Sequence, residues 1–219
     1  MVELGSPTEI TRIMKIIVTG EMPDYISKST LIRLFVEGCR FNEFYKTTIG
    51  VDFANKKIQV NDKLTVNVQL WDIASQERYG NMSHVYYQES SGAIIVFAVN
   101  HPNEFDGVEL WKKDIESKVF TSEGKPVPIL LIGCLKGDIN ENWKPMEAKY
   151  RKYSEENGFV GYFTVDLNTG SNVEESITKL VNYILENNIE PQMDHEPIDL
   201  KTPYVKHTNN TKREVCLVQ

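Results

Sequence analysis

IMKIIVTGEMPDYISKSTLIRLF, residues 13–35, decides the fold. Its first half is an apolar run (Ile13, Met14, Ile16, Ile17, Val18) that reads as a buried strand. Gly20 ends the run, a loop leads to Lys28-Ser29-Thr30, and a helical pattern of Leu31, Ile32, Leu34 and Phe35 follows. Strand, loop, Lys-Ser, helix is the layout of a phosphate-binding loop. In such a loop, backbone N–H groups and the helix start face phosphate oxygens. The lysine reaches the terminal phosphates and the next hydroxyl binds Mg²⁺. Gly20, Ser27, Lys28, Ser29 and Thr30 are therefore the first nucleotide-binding candidates. The match to G-x-x-x-x-G-K-[ST] is imperfect. Lys28 stands eight residues after Gly20, two more than the pattern has; Ser27 replaces the second glycine; and Pro23 has no N–H to offer. Taken alone, the segment is equally a strand–loop–helix with a surface lysine.

Outward from this stretch, the chain alternates strands and helices. Residues 53–60 and 64–71 are strands joined by the turn Asn61-Asp62-Lys63, and the second alternates cleanly through Leu64, Val66, Val68 and Leu70. Residues 93–99 (AIIVFAV) and 129–134 (ILLIGC) are fully apolar strands, and 161–166 is a weaker one. Between them lie helical patterns. One runs through Val108, Trp111, Ile115 and Val119, with Asn103 or Asp106 as cap; another covers 148–157; the last starts at Val173 and aligns Ile177, Leu180, Val181 and Ile184. Such an order predicts an α/β fold: a mostly parallel sheet, covered by helices on both faces, with one antiparallel edge strand. Ligands bind such sheets at the carboxyl ends of the strands, where Gly20 lies. The expected organisation is a short extension over 1–11, one domain over 12–188, and a flexible tail over 189–219, where Pro191, Pro197, Pro203 and HTNNTK resist packing.

Composition narrows the partners. The chain has 219 residues, 41% hydrophobic and 25% charged, with a formal net charge of −7. That balance suits one core-bearing domain and argues against a nucleic-acid partner. Cys39, Cys134 and Cys216 are far apart and form no CxxC pair, so neither a disulfide framework nor a zinc site is indicated. His84, His101, His195 and His207 have no ligand spacing. No signal-peptide h-region and no apolar run near the ~20 residues of a membrane span appears. Val2 excludes N-myristoylation. The expected compartment is the cytosol.

Four further segments follow the loop in order. KTTIGVDF puts Thr48 in a polar loop, able to close on Mg²⁺ and a γ-phosphate. WDIASQERY puts Asp72 at a strand end, where it can hold Mg²⁺ through water, and Gln76 four residues on, able to orient an attacking water. In LKGD, Asp138 can accept from a guanine N1/N2 edge while Lys136 covers the base. The final CLVQ is a C-a-a-X box that makes Cys216 a prenylation candidate. Each residue singly has an ordinary reading as a cap, a core residue or a solvated side chain. In series they do not.

With these segments in place, the chain resembles the Rab family of Ras-like small GTPases over nearly its whole length. IGVDF, WDIASQERYGNMSHVYY and the GEM after the first strand are most similar to the branch serving lysosome-related organelles and melanosomes. The resemblance implies a P-loop small G domain with a six-stranded sheet and five helices. It implies GTP/GDP and Mg²⁺ as ligands, with Ser29, Thr48 and Asp72 toward the metal and Gln76 as the catalytic residue. Phe41 would pack against guanine, with Tyr45 at the next family aromatic. Ile49, Gly50, Phe53, Trp71 and Tyr86 would face effectors. Expected partners are guanine nucleotide, effectors, an exchange factor, a GTPase-activating protein, prenyl-chaperoning proteins and, through a lipid anchor, the cytoplasmic face of lysosome-related, endosomal or Golgi membranes.

Four nucleotide motifs depart from the family. Besides the phosphate loop, Ser75 replaces the DxxG glycine, Leu135 the asparagine of NKxD, and Asp166-Leu167-Asn168 the base-contacting SAK, which leaves Ser75 and Leu167 as altered nucleotide contacts. Two readings follow. One is a vesicle-trafficking switch that binds GTP/GDP and hydrolyses GTP slowly, a serine being strained where the glycine would take φ > 0. The other is a Rab-fold interaction module with lost or impaired cycling. A P-loop kinase would leave IGVDF unexplained.

Overall fold

The computed structural model describes residues 10–22, 28–38, 48–79, 83–99, 105–136 and 144–193. Among these, six strands form one sheet: β1 (Ile10–Gly20), β2 (Val51–Asn61), β3 (Leu64–Ile73), β4 (Gly92–Ala98), β5 (Ile129–Leu135) and β6 (Tyr162–Asp166). Five helices accompany them: α1 (Lys28–Glu37), α2 (Ser83–Tyr87), α3 (Asp106–Glu116), α4 (Lys144–Glu156) and α5 (Val173–Glu186). The spatial order is β2-β3-β1-β4-β5-β6. The β2–β3 hairpin is antiparallel, and every other neighbouring pair is parallel. The expected six-stranded α/β fold with one antiparallel edge strand is therefore observed.

The alternation of β1 and β3 sets the two faces. Met14, Ile16 and Val18, with Val66, Val68 and Leu70, form one core with Leu31 and Phe35 of α1 and Ile177, Leu180 and Ile184 of α5. The opposite face stacks Ile17, Ile95, Phe97 and Leu131 against Val108, Trp111 and Ile115 of α3 and Tyr150 of α4. β4 and β5 have helices on both sides, so all seven residues of each are buried. This is why their sequence is a continuous apolar run and not an alternating one. Burial of each Val, Leu, Ile or Phe side chain among them contributes about 1.5–3 kcal/mol.

Several local expectations are corrected. β1 starts at Ile10, whose N–H donates to Lys63 O, so the sheet begins before Arg12. α3 ends at Glu116; Val119 lies beyond it, buried in the following turn. Its capping residue is Phe105, which makes no side-chain cap bond. The ring instead packs on Phe97, Tyr150 and Tyr153, with centroids 5.1, 4.8 and 4.9 Å away. Aromatic packing thus fixes the helix start where hydrogen bonding was expected. A 3-10 helix (Ser75–Tyr79) and α2 had no clear periodic signal, being only five residues each. Past α5, residues 189–192 run against the α3–β5 turn: Gln192 N–H donates to Phe120 O and Ser122 N–H to Glu190 O, both at 2.9 Å. The Arg12 guanidinium donates to Ile189 O at 2.6 Å and pairs with Glu190 at 2.9 Å. The packed structure therefore extends past residue 188.

Candidate functional site

Parallel pairing brings the carboxyl ends of β1 and β3 side by side, with Val18 opposite Asp72, and sets Gly20 against Val96 of β4. Gly20 has φ +130°, and a Cβ there would stand 2.0 Å from Val96 O. Only glycine permits this approach. α1 starts at Lys28, so Lys28, Ser29 and Thr30 form its first turn, where backbone N–H groups lack helical partners.

Lys28 is 8% exposed and donates to Gly20 O at 3.2 Å and to Ser75 Oγ at 3.0 Å. The Ser75 hydroxyl in turn donates to Gly20 O at 2.9 Å. Burial pushes the Lys28 ammonium below the ordinary lysine pKa, while the negative fields of Asp72 and Glu21 act in the opposite sense. Such a cation is partly desolvated and in need of negative charge. Beside it, the Ser29 hydroxyl donates to Asp72 Oδ2 at 2.5 Å and the Thr48 hydroxyl to the same oxygen at 3.1 Å. Ser29 Oγ and Thr48 Oγ1 lie 3.1 Å apart.

These groups fit Mg²⁺. They are hard oxygen donors, and two oxygens at adjacent corners of an octahedron with bonds of about 2.1 Å lie about 3 Å apart. Asp72 is 3% exposed, and its Oδ1 is buried with no hydrogen-bond partner among the described residues. A buried carboxylate oxygen without a donor is unfavourable unless a cation or its water meets it.

The structure brings Gly20, Lys28, Ser29, Thr48, Asp72 and Ser75 together. Gln76 is the second residue of the 3-10 helix and is exposed. Ser75 is not in the positive-φ region. The strain expected of a serine is therefore absent in this conformation, and a hydrogen bond stands in its place. At the other end, Leu135 is buried in the same apolar cluster as Phe97, Tyr150 and Tyr162. Its C=O accepts from Leu167 N–H at 2.8 Å, and the Leu167 side chain is itself in the core. Asn168 N–H donates to Asp166 Oδ1 at 2.7 Å. Lys136 is half-buried just past β5. Ser27, Phe41, Tyr45, Asp138 and Cys216 lie outside the described residues.

The residues expected to face effectors form a separate surface. Ile49 is 85% and Phe53 59% exposed. Phe53 stacks on Trp71 with centroids 5.8 Å apart, and Gly50, at φ +72°, turns the chain into β2. Tyr86 is half-buried. Two residues here were not anticipated. Lys15 Nζ sits 3.8 Å over the Trp71 ring and donates to Gln88 O at 2.8 Å. Its pKa is lowered to about 8 by burial, against the field of Glu89. Glu21 lies at the start of α3, its carboxylate 3.1 Å from where a Gly107 Cβ would be. Its position directly after Gly20 was the available signal; nothing in the sequence flagged Lys15.

Comparison with known proteins shows the family. A family model described as the Ras family matches residues 15–186. Rab-32 of Homo sapiens is 36% identical over 205 residues, covering 90% of this chain and 89% of that protein. Rab-32A of Dictyostelium discoideum is 41% identical over 177 residues, covering 80% and 79%. Rab-7L1 of Homo sapiens is 34% identical over 181 residues, covering 83% and 87%. The chain belongs to the Ras family of small GTPases, in the Rab branch that includes Rab-32.

Proposed function

We propose that this chain is a guanine-nucleotide switch in membrane trafficking that binds GTP or GDP with Mg²⁺ and hydrolyses GTP slowly. The observation that carries the reading is the convergence of Lys28, Ser29, Thr48 and Asp72 at the carboxyl edge of the sheet. Lys28 and the first turn of α1 would hold the phosphates. Ser29, Thr48 and Asp72 would hold Mg²⁺, which supplies charge neutralisation at the phosphate oxygens. Gln76 would orient water, and Asp138 with Lys136 would read the base. When Thr48 and the Gln76 segment close, the surface of Ile49, Phe53, Trp71 and Tyr86 is presented to effectors. Prenylation of Cys216, with Gln219 directing farnesyl, would give reversible attachment to endomembranes. Among the described residues no helix is long and apolar enough to cross a membrane.

The test is chromatography of the nucleotide released from denatured protein, with a thermal-shift titration by GTP and Mg²⁺. GDP or GTP is expected, with stabilisation. Protein that is empty or loaded with ATP, and unmoved by GTP–Mg²⁺, would falsify the reading. A second reading, an interaction module that no longer cycles, is favoured by Leu135, which lies in apolar packing where the family has an amide.

A further inference from the structure

Ser75 does more than replace a glycine. Lys28 has three ammonium donors. One is directed at Gly20 O, the main-chain end of the phosphate loop, and a second at Ser75 Oγ. The Ser75 O–H completes a closed triangle by donating to that same carbonyl. Two consequences follow from chemistry alone. A hydroxyl oxygen occupies a donor direction of the lysine that glycine would leave to phosphate. The start of the 3-10 helix is also tied to the phosphate loop by a side chain of the protein itself. The tie holds while Ala74 N–H donates to Gly50 O and Thr48 reaches Asp72 Oδ2, so both segments flanking the site are drawn in together. Lys28 is buried, and a hydrogen bond to a buried cation is among the stronger kinds.

We propose that the Ser75 hydroxyl is a built-in stand-in for a terminal-phosphate oxygen. It closes residues 74–79 onto Gly20 and Lys28 without the third phosphate, and a third phosphate must compete with it for Lys28. This rests on the reading of the site as a guanine-nucleotide site and concerns its regulation. The pocket then distinguishes diphosphate from triphosphate less sharply than it would with glycine at this position, and the closed arrangement is more populated with GDP bound.

Amide hydrogen exchange over residues 73–79 tests the tie directly. In the natural chain, protection is expected to differ less between GDP and a non-hydrolysable GTP analogue than it does in Ser75→Ala. In Ser75→Ala, exchange with GDP should rise about tenfold, the value of one charge-assisted hydrogen bond, and fall again with the triphosphate. Ser75→Thr, which restores the hydroxyl, should behave as the natural chain. Fluorescent GDP and GTP analogues give the second readout: the ratio of triphosphate to diphosphate affinity should move about tenfold toward triphosphate in Ser75→Ala. Unchanged exchange in Ser75→Ala, or an unchanged affinity ratio, overturns the proposal. Ser75→Gly provides the same comparison if the alanine variant does not fold. If neither analogue binds the natural chain, the nucleotide reading fails. The exchange comparison without nucleotide still decides whether the hydroxyl ties the segment: faster exchange in Ser75→Ala supports the tie and equal exchange refutes it.

Discussion

The two ends of the sheet's carboxyl edge have diverged in opposite directions. Around Gly20, Lys28 and Asp72 the polar groups converge on a common space, and one of them, Asp72 Oδ1, is buried with no hydrogen-bond partner among the described residues. Among the described residues at the other end, Leu135 C=O accepts from Leu167 N–H, Asp166 Oδ1 accepts from Asn168 N–H, and the Leu135 and Leu167 side chains are in the cores. The Asp166 carboxylate closes its own loop by accepting from Asn168 N–H and the Thr169 hydroxyl. The first end is arranged for charged ligands. The second is arranged for stability. A protein with both features would hold phosphate and metal firmly and the base loosely.

The sharpest way to break this contrast is at Lys28. Lys28→Met should weaken binding of a fluorescent GDP analogue roughly hundredfold or more, since a buried ammonium is lost from the phosphates. It should lower the melting temperature of nucleotide-free protein only slightly, because loss of the bonds to Gly20 O and Ser75 Oγ is offset by removal of a desolvated charge. A strongly lowered melting temperature with intact binding would reverse the assignment of Lys28 from ligand holder to fold element.

Asp72→Asn comes next. It removes the negative charge on which Ser29 and Thr48 converge, so Mg²⁺ should cease to slow nucleotide release. Stopped-flow release with Mg²⁺ should be about ten- to a hundredfold faster than in the natural chain, and equal to it in EDTA. A variant that still responds to Mg²⁺ would mean that the metal is held elsewhere.

Leu135→Asn tests the other end. An amide placed in the cluster of Phe97, Tyr150 and Tyr162 should cost about 2–3 kcal/mol in urea denaturation and leave GDP affinity within a few-fold. If affinity rises with no loss of stability, the base end is an eroded binding site and not a repacked one.

These contrasts also show what could be read from residue order. The hairpin and α5 were legible because their apolar period holds over enough residues, and β4 and β5 because each is an unbroken apolar run. The short α2 and 3-10 helix carry too few residues to show a period. The start of α3 was misread because Phe105 is held by rings from β4 and α4, contacts that are distant in sequence. Within the site, Lys28, Ser29, Thr48 and Asp72 were legible as types at spacings. The Ser75 bonds were not, since they depend on where Gly20 O points. Lys15 was invisible for the same reason: its partners, Trp71 and the Gln88 carbonyl, are brought to it by the sheet.

Lys15 gives the smallest effect and serves as a control away from both ends. Its pKa, lowered to about 8, means that the unfolded chain binds more protons above that pH. Stability should therefore rise from about pH 8 toward 10.5, and Lys15→Met should flatten that part of the curve. Because Lys15 is only half-buried, solvent screening holds the difference to about 1 kcal/mol or less. Thermal melts of both proteins across this range, with tryptophan emission as the probe, should show it. Equal slopes would mean that the ammonium is solvated and does not hold Trp71.

The ladder at residues 189–192 has a mechanical consequence. A pull applied through the chain beyond residue 193 is met first by the two backbone bonds to Phe120 and Ser122 and by the Arg12 guanidinium on Ile189 and Glu190. α5 carries no load until those contacts part. Through Arg12 the force enters β1 near its amino end, and β1 is an inner strand whose far end is Gly20. Tension that reaches Arg12 is thus applied to the strand whose other end, Gly20, accepts from the Lys28 ammonium and the Ser75 hydroxyl.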